Sequence, residues 1–334
     1  MSSQGTVDIP GFVDLQVNGF AGVDFSSPSL TKDALESACR RLIAAGTVAF
    51  LPTLITCPVG VYARNLPLIA GLAEEPEFAG HILGIHLEGP FISATPGAVG
   101  AHDPELVQPA NVDLLNQLLA WGQGQVRLLT LAAELPGVEE PARLATGSGV
   151  TVSVGHALFT AEDLDRLHRA GARALTHLGN GLPNLLPRHP NPVWDGLADE
   201  RYTALVIADG HHLSDAVLRV MVRARRGGTL AVVSDAAPVA GLPPGEYDVL
   251  GNAAVLEPSG RLYSPEKDCL VGSSATMLQC MNHLAALHVC SAEELLDAGF
   301  YTPLRVIGVS PSAVRGIPGQ RVVHTDGQFH LVTS

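Results

Sequence analysis

Several acidic and imidazole side chains stand where short apolar runs stop. Glu88 closes ILGIHLE, His156 closes VTVSVGH, His177 lies at the end of RALTHL and Asp235 closes TLAVVSD. Gln16 and Asn18 end GFVDLQV, while Glu134 and Asp209 follow two further runs. One polar residue at a loop end means little, but His, Glu or Asp at six of eight ends can make a site if those ends converge. Glu88, His156 and His177 are a common donor set for a divalent cation, which leaves a position for water. Such a cation brings the pKa of its water to about 7, and a nearby carboxylate, Asp235, can take the remaining proton and hand it to a leaving amine. The triplet's spacing alone fits a hydrogen-bonded polar mouth as well. Asp235 taken alone reads more simply as a turn or helix N-cap residue. Glycine beside Glu88 in HLEGP and beside His156 in VGH allows close backbone approach and favours the metal.

Other polar groups lie in the loops that follow. His102, in GAVGAHDP, could polarise a carbonyl or be an ordinary surface histidine. Arg188 and His189 in LPRHPNP, with His211 and His212 in ADGHHL, are the compact basic groups near the expected mouth. They suit phosphate, with arginine as the bidentate partner, and equally suit two solvated loops. His81, His168, His283, His288, His324 and His330 fall in helices or the tail and read as structural.

The elements that must position these groups follow one rhythm: an apolar β-branched run, a polar or glycine-rich tip, then a helical pattern. The runs cover 11–17, 47–55, 82–88, 126–132, 150–156, 173–178, 203–209 and 229–235. Eight strands alternating with helices predict a (β/α)₈ TIM-like barrel, whose active site forms at the strand C-termini. A doubly wound open sheet is the rival, but no GxGxxG follows any strand. Thr31 caps a helix ending at Gly46, Thr160 and Asp163 resemble a capping box ahead of a helix stopped by Gly171, and Ser214 starts a helix ending at Gly227. The barrel should span 10–310, with a Pro/Gly-punctuated β insertion at about 242–270 and a last helix over 274–289. The tail from Arg315 looks like a short hairpin.

Composition narrows the function classes. Of 334 residues, 46% are hydrophobic and 16% charged, enough apolar material for a large core. No run approaches the roughly 20 apolar residues of a spanning helix, and MSSQGTVDIP lacks a secretory pattern. Five cysteines without a CxxC pair fit reduced core thiols and a cytoplasmic setting. The net charge of −13 argues against nucleic acid and anionic membranes as partners. Any phosphate would need a local basic pocket.

At this point the motifs carry a resemblance. PGFVDLQVNG, GIHLEGPFIS followed by GAH, VSVGH, THLGN…R, IADGHH, SDA…AG and VGSSATM, in this order over roughly 9–310, resemble the N-acetylglucosamine-6-phosphate deacetylase family of the amidohydrolase superfamily. The resemblance implies hydrolysis of N-acetyl-D-glucosamine 6-phosphate to glucosamine 6-phosphate and acetate. It implies Glu88, His156 and His177 as metal ligands, Asp235 as general acid/base and His102 as the group that helps polarise the acetyl carbonyl. It also implies Asn180, the Gly181 backbone and Arg188 as phosphate contacts and His212 as a sugar or phosphate contact; Gln16 is placed with the substrate-binding group. Some family contacts cross a homodimer interface, so Arg188 or His212 is expected to serve a neighbouring subunit. Many superfamily members carry HxH on the first strand for a second metal; Gln16 and Asn18 stand there instead. One divalent ion per subunit is therefore expected, zinc first, with iron(II) or manganese(II) also able to use these ligands.

Three features depart from the family. With short ends, 1–9 and 311–334, its small β-sandwich is expected to be reduced or absent. THLGNGL replaces a motif with an aromatic residue and Ala-Met, so the sugar pocket is expected to be reshaped. Ser234 stands where threonine is usual. These departures keep two other readings in view: an amidohydrolase for another N-acyl sugar phosphate or a cyclic amide, and a sugar-phosphate-binding homologue without catalysis.

Overall fold

The computed structural model describes residues 7–333; residues 1–6 of the N-terminal segment and Ser334 lie outside the described residues. Eight parallel strands run in chain order around the molecule: Phe12–Val17, Thr47–Ile55, Ile85–Glu88, Val126–Leu131, Thr151–Val154, Ala174–Leu175, Thr203–Ile207 and Leu230–Val233. A parallel bridge between Val17 and Ala236, with the Asn18 N–H donating to the Ala236 carbonyl at 2.8 Å, brings the first and last strands together. The result is a nearly closed (β/α)₈ barrel. The second strand is buried at all nine positions, as expected for parallel strands covered on both faces.

Helix starts follow the capping signals. Thr31 accepts the Ala34 N–H ahead of Lys32–Ala44, Thr160 and Asp163 form a reciprocal capping box before Ala161–Arg169, and Ser214 accepts the Val217 N–H before Asp215–Ala224. Each helix turns an apolar face to the barrel; Leu35, Ala38, Cys39, Leu42 and Ile43 do so in the first. The helix expected over 274–289 is Met277–Ala286, but it is not the last: Ala292–Leu296 and Thr302–Val306 follow it, joined by a turn of π-helix at Asp297–Tyr301, too short for a sequence period to reveal.

All the strands but the second, which fills 47–55, are shorter than their apolar runs, most of all the sixth, which keeps only Ala174 and Leu175. Beyond it single backbone bonds continue, Thr176 N–H to the Val154 carbonyl and Leu178 N–H to the Leu205 carbonyl, both at 2.8 Å, and side chains add to them. Thr176 Oγ1 lies 2.7 Å from Thr130 Oγ1 and 2.6 Å from Ser153 Oγ, and His177 then adopts a φ of +31°. These hydroxyls belong to a polar layer inside the barrel with His86, whose Nε2 is 2.8 Å from Thr130 Oγ1.

The insertion forms a four-stranded antiparallel sheet from Gly245–Val249, Asn252–Leu256, Leu262–Ser264 and Cys269–Leu270. It has a small core of its own, including Val249, Leu256 and Leu262, packed on Ala237 and Val239 after the eighth strand. Opposite ends of the chain meet in a three-stranded sheet, Val7–Ile9 with the hairpin Gln320–Thr325 and Gln328–Thr333. Ile9, Val322 and Phe329 of that sheet join the barrel core, and Phe329 packs edge-on against Phe12 at 5.1 Å. All five cysteines are free; Cys39, Cys57 and Cys280 are buried. Among the described residues no helix is long and apolar enough to cross a membrane.

Candidate active site

Glu88, His156 and His177, from three strand ends, meet at the barrel mouth. His177 Nε2 lies 2.9 Å from Glu88 Oε1 and 3.1 Å from His156 Nε2, and His156 Nε2 lies 3.3 Å from Glu88 Oε1. All three are buried. His156 and His177 have φ of +48° and +31°, and Asp235 has +52°. Positive φ is uncommon outside glycine and costs of order 1–3 kcal/mol per residue. At each of these strand ends the backbone turns sharply and throws the side chain over the barrel axis.

Asp235 faces this cluster. Its Oδ1 accepts from Gln16 Nε2 at 3.0 Å and from Asn18 Nδ2 at 2.7 Å, while Gln16 Nε2 also donates to Glu88 Oε1 at 2.7 Å. Gln16, expected among the substrate contacts, is fully buried and braces the two carboxylates from below. Burial, and then the Glu88 charge, pushes the Asp235 carboxyl up to about 6, a range suited to moving a proton near neutral pH.

His102 is only 5% exposed, which removes the surface reading. Its Nδ1 accepts the Thr56 N–H at 3.3 Å, so Nε2 carries the proton and points toward Glu88 Oε2, 4.0 Å away. Burial, and next the His156 imidazole, pushes His102 down to about 3, which keeps it neutral. The insertion sheet secures this loop: Asn252 Nδ2 and Lys267 Nζ both donate to the Ala101 carbonyl, at 3.1 and 2.9 Å.

A cavity of about 270 Å³ opens over these groups, and Asn180, Gly181 and His212 line it with Asp235 and His102. Arg188 does not line the cavity of its own chain and is exposed. Glu134 also stays apart; the fourth strand ends at Leu131, three residues earlier, and Glu134 Oε1 accepts the Leu158 N–H at 2.8 Å. Sequence reasoning missed His86, although strand alternation points it to the same side as Glu88. It also missed Leu250, Asp268 and Leu270, which the insertion brings to the cavity wall; no sequence periodicity marks an insertion that folds back.

No family model matches the chain. The N-acetylglucosamine-6-phosphate deacetylase of Bos taurus is 36% identical over 313 residues, covering 91% of this chain and 75% of that protein. This chain belongs to the N-acetylglucosamine-6-phosphate deacetylase family. The N-acetylgalactosamine-6-phosphate deacetylase of Escherichia coli O157:H7 is 30% identical over 324 residues, covering 96% of this chain and 84% of that protein. A solved structure of a mutant Mycobacterium smegmatis N-acetyl-D-glucosamine-6-phosphate deacetylase in complex with N-acetyl-D-glucosamine-6-phosphate superposes with a TM-score of 0.86. The two chains are 27% identical, with 97% of this chain and 84% of that one covered.

As a member of the deacetylase family the chain is a hydrolase, and its donor triplet fits a cation on its own chemistry. His156 Nδ1 lies 2.8 Å from the Ala98 carbonyl, which fixes the proton there and turns the Nε2 lone pair inward, the usual arrangement of a metal-binding histidine. The inward His156 Nε2 lone pair and Glu88 Oε1 are then two acceptors 3.3 Å apart, a pair that a cation between them satisfies. Their separations of 2.9, 3.1 and 3.3 Å match donor spacings of about 3.3 Å around a tetrahedral ion with bonds near 2.0–2.1 Å.

Gly181 bears on this triplet. With φ at +61°, a Cβ there would sit 2.9 Å from His156 Nδ1. Gly181→Ala is expected to push the imidazole off its Ala98 contact and weaken metal affinity roughly 10- to 100-fold, as read by competition with a chelating dye. Unchanged affinity would show that the His156 ring has room to yield.

Proposed function

We propose that the chain hydrolyses N-acetyl-D-glucosamine 6-phosphate to D-glucosamine 6-phosphate and acetate, with one divalent ion, zinc by preference, held by Glu88, His156 and His177. The observation that carries this reading is the convergence of those donors with Asp235 and His102 around one cavity. When bound, the cation supplies positive charge that polarises the amide carbonyl and makes a water molecule more acidic. Asp235 holds and moves the proton: with Oδ1 engaged by Gln16 and Asn18, Oδ2 is free to accept it from water and return it to the departing amine. His102, neutral with Nε2–H facing inward, donates to the carbonyl oxygen as charge gathers there. Asn180, the Gly181 N–H and His212 orient the sugar phosphate. Incubating the metal-loaded protein with N-acetylglucosamine 6-phosphate should release acetate and a primary amine in equal amounts; binding without release would favour a non-catalytic homologue.

Arg188 and the exposed apolar residues near it belong to a homodimer interface in this reading. Leu185 is 91% exposed and Trp194 56%, more than a monomer gains from showing. Arg188 would complete the phosphate site of the partner subunit. Mixing an Arg188→Ala chain with an Asp235→Asn chain should then restore about a quarter of wild-type turnover at low substrate, because each mixed dimer regains one intact site. No recovery on mixing would return Arg188 to its own subunit or to solvent. The three-stranded sheet of Val7–Ile9, Gln320–Thr325 and Gln328–Thr333 fits a remnant of a small β domain beside a 10–310 barrel. The free thiols fit a cytoplasmic setting.

A second substrate is favoured by one feature. Gly179, in place of the family's aromatic residue, lines both the catalytic cavity and a neighbouring one of about 480 Å³ with Trp194, Leu213 and Met221 on its wall. A different N-acyl amino sugar phosphate would use that space. A panel of N-acetylhexosamine 6-phosphates and longer N-acyl homologues, compared by kcat/KM, separates the two. The Ala101 clamp adds a further expectation. Lys267→Met should lower kcat about three- to tenfold with KM little changed, from the loss of its two hydrogen bonds to the His102 loop, to the Ala101 and His102 carbonyls.

A further inference from the structure

Asp209 is a polar strand-end residue to which neither the sequence reading nor the mechanism gives a role. Its side chain is 2% exposed, and four donors fill it. Oδ1 accepts the backbone N–H groups of His211 and His212, both at 2.9 Å; Oδ2 accepts His212 Nδ1–H at 2.8 Å and the Ser273 hydroxyl at 2.7 Å. Ser273 is itself 2% exposed and tied to the end of the eighth strand, its N–H donating to the Asp235 carbonyl at 2.9 Å and its carbonyl accepting the Ala237 N–H at 2.8 Å. With Nδ1 engaged, Nε2 is the nitrogen His212 presents to the cavity it lines. His211 turns away, its Nε2 3.1 Å from the Ser259 carbonyl.

Among the described residues the cavity lining contains no lysine or arginine, while Glu88, Asp235 and Asp268 are part of it. The whole chain carries −13. An anionic ligand therefore meets local and long-range repulsion; apart from the metal ion and an Arg188 from a neighbouring subunit, only an imidazole of the lining could offset it. His102 is neutral, and His156 and His177 face Glu88. His212 remains. We propose that Asp209, set in place by Ser273, is a positioning residue that holds His212 as an imidazolium with Nε2–H aimed into the cavity, making it the cationic contact that the cavity's own chain offers the anionic group of the substrate. This rests on the sugar-phosphate reading above. Asp209 and Asp235 are the charges that bear on His212; burial pushes the imidazole down, and the Asp209 contact outweighs it, so the net displacement is upward.

Asp209→Asn tests the charge separately from the shape. The new NH₂ cannot occupy the Oδ1 position, where two backbone N–H groups already point at it, so it takes the Oδ2 position and donates to His212 Nδ1. His212 then becomes neutral while keeping Nε2–H. In metal-loaded protein with ¹⁵N-labelled histidine, the wild type should show His212 protonated on both nitrogens, and Asp209→Asn should show it on Nε2 alone. KM for N-acetylglucosamine 6-phosphate should rise about tenfold, with kcat kept within about twofold and the KM for unphosphorylated N-acetylglucosamine unchanged. In a His212→Gln background the same change should add nothing. Ser273→Ala, which removes one of the four hydrogen bonds, should shift KM the same way by about two- to threefold and serves if Asp209→Asn fails to fold. A His212 that stays doubly protonated in Asp209→Asn, or equal KM changes for both sugars, would overturn the proposal. If the wild type does not turn over the phosphorylated sugar at all, it is the deacetylase reading that fails, while the histidine spectrum still reports on Asp209.

Discussion

Asp235→Asn is expected to lower kcat by about 10³- to 10⁴-fold, near the upper end of what positioned acid–base groups contribute, while metal content and thermal midpoint stay close to wild type. Asparagine has the size of aspartate and can keep the hydrogen bonds that Gln16 Nε2 and Asn18 Nδ2 make to Oδ1 by presenting its carbonyl oxygen to them. The NH₂ then takes the position of Oδ2, the oxygen that would receive the proton. What disappears is the ability to accept and return it, together with one negative charge beside Glu88. Burial and then the Glu88 charge raise Asp235; the substitution removes that mutual repulsion and leaves the three metal ligands in place. Burst and steady-state measurement of acetate release, with metal analysis on the same sample, checks this. Turnover within tenfold of wild type would remove Asp235 from proton transfer.

The second large effect concerns the triplet. Glu88→Gln should bring metal content below about one-tenth per chain and turnover down at least about 10³-fold, because the only anionic donor of the set is lost. The geometry makes this a test of charge. Glu88 Oε1 contacts Gln16 Nε2, His177 and His156, and a glutamine oxygen can occupy the same point, its NH₂ then facing the Nε2–H of His102 across about the 4.0 Å that separates Nε2 from Glu88 Oε2. Added zinc should raise the thermal midpoint of the wild type, as any ligand specific to the folded state does, and leave that of Glu88→Gln unmoved. Full activity in a variant shown to be free of metal would end the metal-centre reading.

Much of this site was legible in the chain because barrel strands are buried on both faces. A carboxylate or histidine closing an apolar run, as at Glu88, His156, His177 and Asp235, contradicts its surroundings unless it serves a purpose, and the alternation of strands and helices says that all such ends share one rim. The capping residues Thr31, Thr160 and Ser214 were equally readable, since a cap is a bond between neighbours. By contrast, the burial of His102, the brace from Gln16 and Asn18, and the saturation of Asp209 by Ser273 join residues 46 to 219 positions apart. Nothing local encodes such pairings. The sequence by itself determined the barrel, the family and the residue types at the mouth, since period and strand-end chemistry are local properties. Only the tertiary structure decided which side chains face one another, which nitrogen of His102 and of His156 carries the proton, and that Arg188 lies outside its own cavity, because those depend on where distant backbone turns finally aim each side chain.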